Sequence, residues 1–308
     1  MAKSKKQKAL DEELLRESYG YSTRANKPDG AYIEIRGQFY NLNKIKRLIA
    51  SGADVGVKNK VGDEPLHLAV DGNNIALAKL LITSGAKVNA KRKDGHTPLH
   101  WAISGDNIAI AKLLIDSGAN VNAKNKDGDT PLHWARSVDL AKLLIASGAD
   151  VDAKNIDGNT LLHWAVGRDN IELAKFLIDS GAKVNAKKRN GETALHLAIG
   201  RNVGRDNIAI AKLLVEAGAD VNANDNNGNT PLHEVRSKQI AKVLIDAGAK
   251  VNAKNRGGIT PLILALQSKT TPIAILLMEL GAKVSLSSVL KIAFPQLHDA
   301  MIEHKAIK

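Results

Sequence analysis

The chain alternates short apolar stretches with polar stretches rich in Asn, Asp and Gly, and this alternation recurs along most of its length. Within residues 122–153, the polar stretch "NAKNKDGDTP" has the composition of a turn. Thr130 and Pro131 then supply a helix N-cap and a proline at the first helical position. The stretch "VDLAKLLIAS" places three leucines on one face of a second helix, and Gly148 follows as its left-handed stop. The pattern predicts an inner helix, an outer helix and an extended segment in each unit.

The unit recurs with a basic period of 33 residues. A "GxTPLH"-like element and an "LLIxSGAxVNAK"-like element alternate, and the spacing from each Gly-Ala glycine to the next "GxTPLH" glycine is always 10 residues. One unit cannot bury its apolar side alone, but a stack of units can. We call the six residues around each "GxTPLH" glycine a finger. The fingers are residues 58–63, 91–96, 124–129, 154–159, 187–192, 224–229 and 254–259.

All variation in unit length falls between the inner and the outer helix. Two short units, "ARSVDLAKLLI" and "VRSKQIAKVLI", lack three residues, which is about one helical turn. A longer unit carries "GRNVGRDN" at Gly200–Asn207, and the sequence indicates no role for this insertion. The fingers are therefore predicted to stay in register.

The repeated element resembles the ankyrin repeat, whose signature "TPLHxA" occurs here as "TPLHWA" at Thr97–Ala102 and Thr130–Ala135. The resemblance implies an all-α solenoid of stacked helix-turn-helix units with β-hairpin-like finger loops. It also implies a concave side formed by the fingers and the inner helices. We expect about eight repeats including degenerate terminal caps. The predicted divisions are an N-terminal extension with a short helix and linker at 1–30, the solenoid at 31–290 and a C-terminal helical cap at 291–308.

Composition narrows the function classes. The chain has 308 residues and no cysteine, which excludes disulfides, thiolate metal sites and a cysteine nucleophile. No apolar signal region and no run of 18 apolar residues occurs, so we expect a cytoplasmic protein without a membrane partner. Sealed stack ends predict a monomer. Similar ankyrin proteins occur in intracellular bacteria and viruses, and the sequence leaves delivery to a host cell open.

Histidine is the residue most suggestive of catalysis, since it recurs at one position in six successive units. Stacked helices lie about 8–10 Å apart, so these side chains cannot converge on one metal ion. The resemblance implies that each imidazole hydrogen-bonds backbone in the finger region. No nucleophile or phosphate-loop motif occurs, and we predict no enzyme activity and no cofactor. The residues are His67, His100, His133, His163, His196 and His233.

The three tryptophans occupy one position in three adjacent units, directly after the histidine. Their helical position lies away from the apolar face, which predicts that they line the concave groove as binding anchors. Packing between neighbouring inner helices explains them equally well, and the sequence does not decide between the two.

Basic residues recur at alternate finger positions, which places them on one side of an extended segment. The leading hypothesis is a non-catalytic scaffold that binds another protein, with an acidic surface, on the concave face. The alternative is nucleic-acid or anionic-surface binding, although Asp94, Asp127 and Asp157 interrupt the basic row. The predicted partner-binding residues are Trp101, Trp134, Trp164, Lys91, Lys93, His96, Lys124, Lys126, Asp129, Lys187 and Arg189.

Overall fold

A computed structural model of the chain describes residues 4–19, 33–35, 38–200 and 208–283. The predicted linker before residue 31, the arginines of the Gly200–Asn207 insertion and the predicted cap at 291–308 lie outside the described residues. The chain divides into two compact units, residues 1–156 and residues 157–308.

The first unit consists mainly of short inner helices followed by nine-residue outer helices. A two-stranded antiparallel hairpin precedes the first outer helix, and its two strands are the exception to the predicted all-α composition. The elements are α1 (Lys5–Tyr19), β1 (Ile33–Ile35), β2 (Gln38–Tyr40), α2 (Leu42–Ala50), α3 (Pro65–Asp71), α4 (Ile75–Thr83), α5 (Pro98–Ser104), α6 (Ile108–Asp116), a 3₁₀ helix (Pro131–Trp134) and α7 (Val138–Ala146).

The second unit repeats the same plan of inner and outer helices. Its elements are α8 (Leu161–Gly167), α9 (Ile171–Asp179), α10 (Ala194–Gly200), α11 (Ile208–Glu216), α12 (Pro231–Glu234), α13 (Lys238–Asp246), α14 (Pro261–Gln267) and α15 (Thr271–Glu279).

Capping residues set the ends of these helices as the sequence predicts. Thr97 is the N-cap of α5 and Pro98 is its first residue. The side chain of Asn107 caps α6 by accepting the backbone N–H of Ile110. Gly118, after the end of α6, has φ = 87° and provides the left-handed stop.

The core consists of apolar side chains between inner and outer helices. On α6, Ile110, Ala111 and Leu114 are completely buried. Leu99 and Ile103 on α5 are buried opposite them, and α5 packs against both α6 and α3. Helix α5 thus buries apolar area against its own outer helix and against the inner helix of the preceding repeat, as expected for a solenoid.

The sequence places the two deletions between the inner and the outer helix, and the structure shows that they shorten the inner helix. Seven residues form α5, whereas the equivalent helix at Pro131–Trp134 has four and is 3₁₀ rather than α. The deletion also removes the left-handed residue that Asp106 provides at φ = 53° in the longer repeat. Ser137 then caps the outer helix in place of asparagine. Helix α12 is shortened to four residues in the same way.

The predicted N-terminal helix is α1, and it belongs to the packed end of the first unit. It contacts α2 and α3 as an inner helix would, and Leu14 is completely buried there. The ammonium of Lys44 on α2 lies 2.7 Å from Glu13 and 3.0 Å from Glu17. The boundary at residue 30 stays a prediction, but α1 itself is part of the helix stack.

Candidate protein-binding surface

The fingers are tight turns joined to each other by backbone hydrogen bonds. Within one finger, the N–H of Asn125 donates to the carbonyl of Asp129 at 3.0 Å. Between fingers, the N–H of Lys126 donates to the carbonyl of Asp94 at 2.9 Å. The same bond recurs from Arg189 to Asp157 and from Arg256 to Asn227. Each finger is therefore held in place by its neighbour before any ligand binds.

The finger glycines permit this close approach. A Cβ atom on Gly95 would lie 2.9 Å from the backbone N of Lys126 and 3.0 Å from the Cα of Asn125. Gly95 also has φ = 87°, a conformation that favours glycine. The Gly-Ala glycines differ, because a Cβ on Gly85 would meet nothing within 4 Å. Only the finger glycine is thus required for both conformation and space.

The first basic residue of several fingers links that finger to the next. The ammonium of Lys91 donates to the carbonyl of Lys124 at 2.9 Å, and that of Lys187 donates to the carbonyl of Asn224 at 2.7 Å. Lys58 and Lys124 make the equivalent bonds at 3.2 and 3.3 Å. These side chains remain exposed. The row therefore stabilises the finger array and presents positive charge at fixed positions.

The recurrent histidine is a structural link, as the resemblance implies. The Nδ1 atom of His100 accepts the backbone N–H of Thr97 at 3.2 Å, and Nε2 donates to the carbonyl of Asp129 at 3.1 Å. Burial lowers the pKa of His67 and of His100 to about 4. Burial also lowers the pKa of His196 and His233. Neutral imidazole is required because a proton on Nδ1 would abolish its acceptor role.

Two fingers replace a structural residue with a basic one. In four fingers, an Asn or Asp side chain accepts two backbone N–H groups of its own turn; these are Asn59, Asn125, Asp225 and Asn255. Arg92 and Lys188 occupy the same position in their fingers. The turn bond moves to Asp94 in the first case and to Asn190 in the second. The two basic side chains are thereby released to line cavities beside the inner helices.

The first cavity, which we call the Trp101 hollow, lies in the first unit and has a volume of about 260 Å³. The His96 ring packs edge-on against Trp134 at 5.3 Å and against Trp101 at 6.5 Å between centroids. Arg92 lies 4.8 Å above the Trp101 ring. Its guanidinium is also 2.9 Å from Asp63. The Nε1 atoms of both tryptophans are buried without a hydrogen-bond partner among the described residues.

The second cavity, the Trp164 pocket, lies in the second unit and has a volume of about 550 Å³. Trp164 is 36% exposed, and the guanidinium of Arg168 lies 5.1 Å from its ring centroid. Lys188 and Arg189 line the finger side of the pocket, together with Asp157. This cavity therefore combines an exposed aromatic face with several cations.

The structure brings together some of the predicted binding residues but not all of them. His96 lies between Trp101 and Trp134, and the two indoles are half-buried, so packing and groove lining both apply to them. Trp164 is more exposed and lines its own pocket with Arg189. The carboxylate of Asp129 accepts the Asn155 amide at 2.9 Å. Of the other predicted residues, Lys91, Lys124 and Lys187 make the finger-linking bonds, and Lys93 and Lys126 are exposed.

Sequence reasoning missed Arg92, Arg168 and Lys188. The signal for two of them was present, because each lies between two predicted outward-pointing basic residues of an extended segment. Alternate residues of such a segment point to opposite sides, so Arg92 and Lys188 had to point inward. Their side chains are 15% and 10% exposed, respectively.

The described residues show neither a metal-ligand cluster nor a membrane-spanning helix. Across the described ranges, no group of three or more His, Asp and Glu side chains comes together as metal ligands. None of the helices in the described part of the chain has the length and apolar character needed to cross a membrane.

Comparison with known proteins gives a family and a fold. A family model described as "Ankyrin repeats (3 copies)" matches residues 35–125, 79–155, 132–225 and 202–288. The solved ankyrin repeat domain of Bcl-3, described as a unique member of the IκB protein family, is 32% identical. The match covers 67% of this chain and 93% of that domain, with a TM-score of 0.61. No curated protein sequence matches the chain.

Ankyrin repeats are generally protein–protein interaction modules, and domains of this fold are typically non-catalytic. The family match covers most of the chain, and the repeated helices and linked fingers have the architecture that the match implies. The chain is a member of the ankyrin repeat family.

Proposed function

We propose that this chain is a non-catalytic scaffold that binds a protein partner on the face formed by its fingers and inner helices, and that the partner surface is acidic. The observation that carries the proposal is the Trp101 hollow. Its wall consists of two half-buried tryptophans, His96 and Arg92, which are residue types enriched in binding hot spots or able to stack on them.

The two buried indole N–H groups support binding at this position. An unpaired buried donor costs about 1–3 kcal/mol, and nothing in the described part of the chain supplies an acceptor to either indole. A partner side chain that enters the hollow and brings a carbonyl or carboxylate oxygen would recover part of that cost. The backbone links between fingers hold the wall in place, so little conformational entropy would be lost on binding.

Charge supports an acidic partner surface. Lys93 and Lys126 are exposed at neighbouring finger tips, and the ammonium groups of Lys91 and Lys124 are fixed by their bonds to the next finger. A row of fixed positive charge steers an acidic protein toward the face and raises the association rate.

The test is affinity capture with two matched triple variants. One carries Trp101→Ala, Trp134→Ala and Trp164→Ala, which removes the aromatic wall. The control carries Ile108→Ala, Ile171→Ala and Ile275→Ala, which removes exposed apolar side chains from outer helices instead. We expect the control to retain the partners of the wild type and the tryptophan variant to lose them. A folded tryptophan variant that keeps every partner would refute the proposal.

Salt dependence separates the proposal from nucleic-acid binding. Binding to phosphates weakens linearly with the logarithm of salt concentration and is insensitive to the identity of the ligand sequence. A protein partner that contacts the Trp101 hollow should bind with defined stoichiometry and lose less affinity over the same salt range. A steep linear dependence with any duplex offered would favour the nucleic-acid alternative.

A further inference from the structure

The Trp164 pocket differs from the Trp101 hollow in both size and charge. Its volume of about 550 Å³, against about 260 Å³, is in the range that accommodates several side chains of a bound segment. Its walls come from inner helices α8 and α10 on one side and from two successive fingers on the other. The pocket therefore suits a short extended peptide segment.

Aromatic and apolar surface forms the inner wall. Trp164 is 36% exposed, more than expected for an indole that only fills a core, and Leu197 of α10 lines the same pocket. Arg168 extends over the Trp164 ring, with its guanidinium 5.1 Å from the centroid. A guanidinium stacked on an indole can still donate hydrogen bonds in its own plane to a carboxylate.

Positive charge dominates the pocket lining. Lys188 is paired with Glu192 at 2.8 Å, and three basic residues (Arg168, Lys188 and Arg189) line the pocket together with one acidic residue, Asp157. Both arginine side chains are exposed. The backbone N–H of Arg189 donates to the carbonyl of Asp157 at 2.7 Å, so the finger that carries Arg189 is fixed beside the pocket.

In the finger at 187–192, Lys188 replaces the Asn or Asp whose side chain accepts turn N–H groups in other fingers. Where other fingers place an Asn or Asp that accepts two backbone N–H groups, this finger has Lys188, and Asn190 accepts one N–H instead. The finger thus has one fewer internal hydrogen bond of this kind and one more cation at the pocket. Part of this loss is compensated within the turn, because the Lys188 ammonium donates to the Glu192 carboxylate at 2.8 Å.

From these observations we propose that the Trp164 pocket binds an acidic residue of a partner peptide segment, with a neighbouring apolar side chain against Trp164 and Leu197. The carboxylate lies between Arg168 and Arg189. This inference rests on the proposed scaffold function and specifies the chemistry that one of its subsites recognises.

The experiment selects peptides from a phage-displayed library of random 12-residue sequences on the full-length chain. A fluorescently labelled selected peptide, and its counterpart with Asp or Glu replaced by Asn or Gln, are then titrated by fluorescence anisotropy. We expect acidic residues next to apolar ones among the selected peptides. We also expect the amide counterpart to bind at least about 5-fold more weakly, as for the loss of a charge-assisted hydrogen bond.

Variants locate the binding site. Trp164→Ala and Arg189→Glu should each weaken peptide binding at least about 10-fold, whereas the matched controls Ile171→Ala and Lys175→Glu, on the exposed face of outer helix α9, should change it less than about 2-fold. A peptide in which the acidic residue is replaced by lysine should bind Arg189→Glu more tightly than it binds the wild type. This charge reversal distinguishes direct contact from a general loss of folding.

Other outcomes overturn the inference. One such outcome is a set of selected peptides with no enrichment in acidic residues, and another is peptides that bind Arg189→Glu as tightly as the wild type. Either result would show that the pocket does not recognise a carboxylate. If Trp101→Ala weakened binding of those peptides instead, the scaffold proposal would stand, and only the assignment of binding to the Trp164 pocket would be refuted. Failure to select any peptide overturns peptide recognition by the pocket, while the capture experiment still tests the scaffold independently.

Discussion

Glycine occupies two positions in each repeat for different physical reasons. After each outer helix, the glycine needs only its positive φ, and Gly85 has open space around a substituted Cβ. At every finger that is followed by another, from Gly62 to Gly228, the glycine needs both its positive φ and the absence of a Cβ, because the next finger lies against it. The sequence shows both as recurrent glycines and cannot distinguish them, since the difference arises only when neighbouring repeats stack.

Gly95→Ala should therefore destabilise the protein more than Gly85→Ala. Both substitutions carry the cost of a left-handed alanine, about 1–2 kcal/mol. Only Gly95→Ala adds a clash with the backbone of residues 125–126, which costs roughly 1–3 kcal/mol more. Urea denaturation followed by circular dichroism measures both variants. Equal losses of stability would show that the fingers are not tightly linked.

The buried histidines predict a stability that depends on pH. His67 and His100 have pKa values of about 4 in the folded chain, below the ordinary value of 6.5. As pH falls below 6.5, the unfolded chain takes up protons first, so stability is lost between pH 6.5 and about pH 4. Each of the two histidines accounts for a loss of about 3 kcal/mol over that range.

A single substitution tests this origin of the pH dependence. His100→Gln should lower the free energy of unfolding at pH 7. It should also make the decrease in that free energy between pH 6.5 and 4 smaller by the contribution of one histidine, about 3 kcal/mol. Urea denaturation at a series of pH values measures both quantities. An unchanged pH slope in the variant would mean that His100 is not held neutral by the fold.

Residue roles could be predicted where a role recurs in every repeat. The N-caps, the helix-stopping glycines and the structural histidines follow from local chemistry that each copy repeats, and the structure confirms them. Arg92 and Lys188 were missed because their role departs from the pattern of the other fingers. The sequence left open whether Trp101 and Trp134 are exposed or packed; in the structure both are half-buried, with the His96 ring packed between them.

Among the secondary-structure elements, helix boundaries could be predicted from the sequence because capping residues mark them. The sequence placed the loss of three residues in two repeats between the inner and the outer helix, and the structure shows that the inner helix is the one shortened. The change from α to 3₁₀ at Pro131–Trp134 was not predicted, because it depends on how few residues remain to form an α turn. The hairpin of β1 and β2 was also missed, since nothing in the repeat pattern extends to it.

Helix α1 provides a test of where the helix stack begins. Leu14 is completely buried between α1 and the helices that it contacts, whereas Leu15 on the same helix is half-buried. Leu14→Ala should cost about 2–5 kcal/mol, and Leu15→Ala should cost clearly less. Thermal denaturation and urea denaturation both report the difference. Small and equal losses of stability in the two variants would show that α1 is a separate extension, as the predicted boundary at residue 30 implies.

For the whole molecule, the net charge of +12 supports the proposal of an acidic partner but does not locate where that partner would bind. The structure shows that part of this charge is used within the fold, since several lysines bind carbonyl groups of the next finger. The generic scaffold could be read from the sequence because repetition reveals it. The binding chemistry could not, because it depends on the few residues that differ between repeats.

The proposed function depends on partner binding at the face formed by the fingers and the inner helices. The most direct test is the dissociation constant of a purified captured partner, measured by biolayer interferometry for the wild type and the two triple variants. We predict that Trp101→Ala, Trp134→Ala and Trp164→Ala together raise the dissociation constant at least about tenfold, which is about 1.4 kcal/mol. The control Ile108→Ala, Ile171→Ala and Ile275→Ala should leave it within about twofold. Equal affinities for both folded variants, or a larger loss in the outer-helix control, would contradict the account.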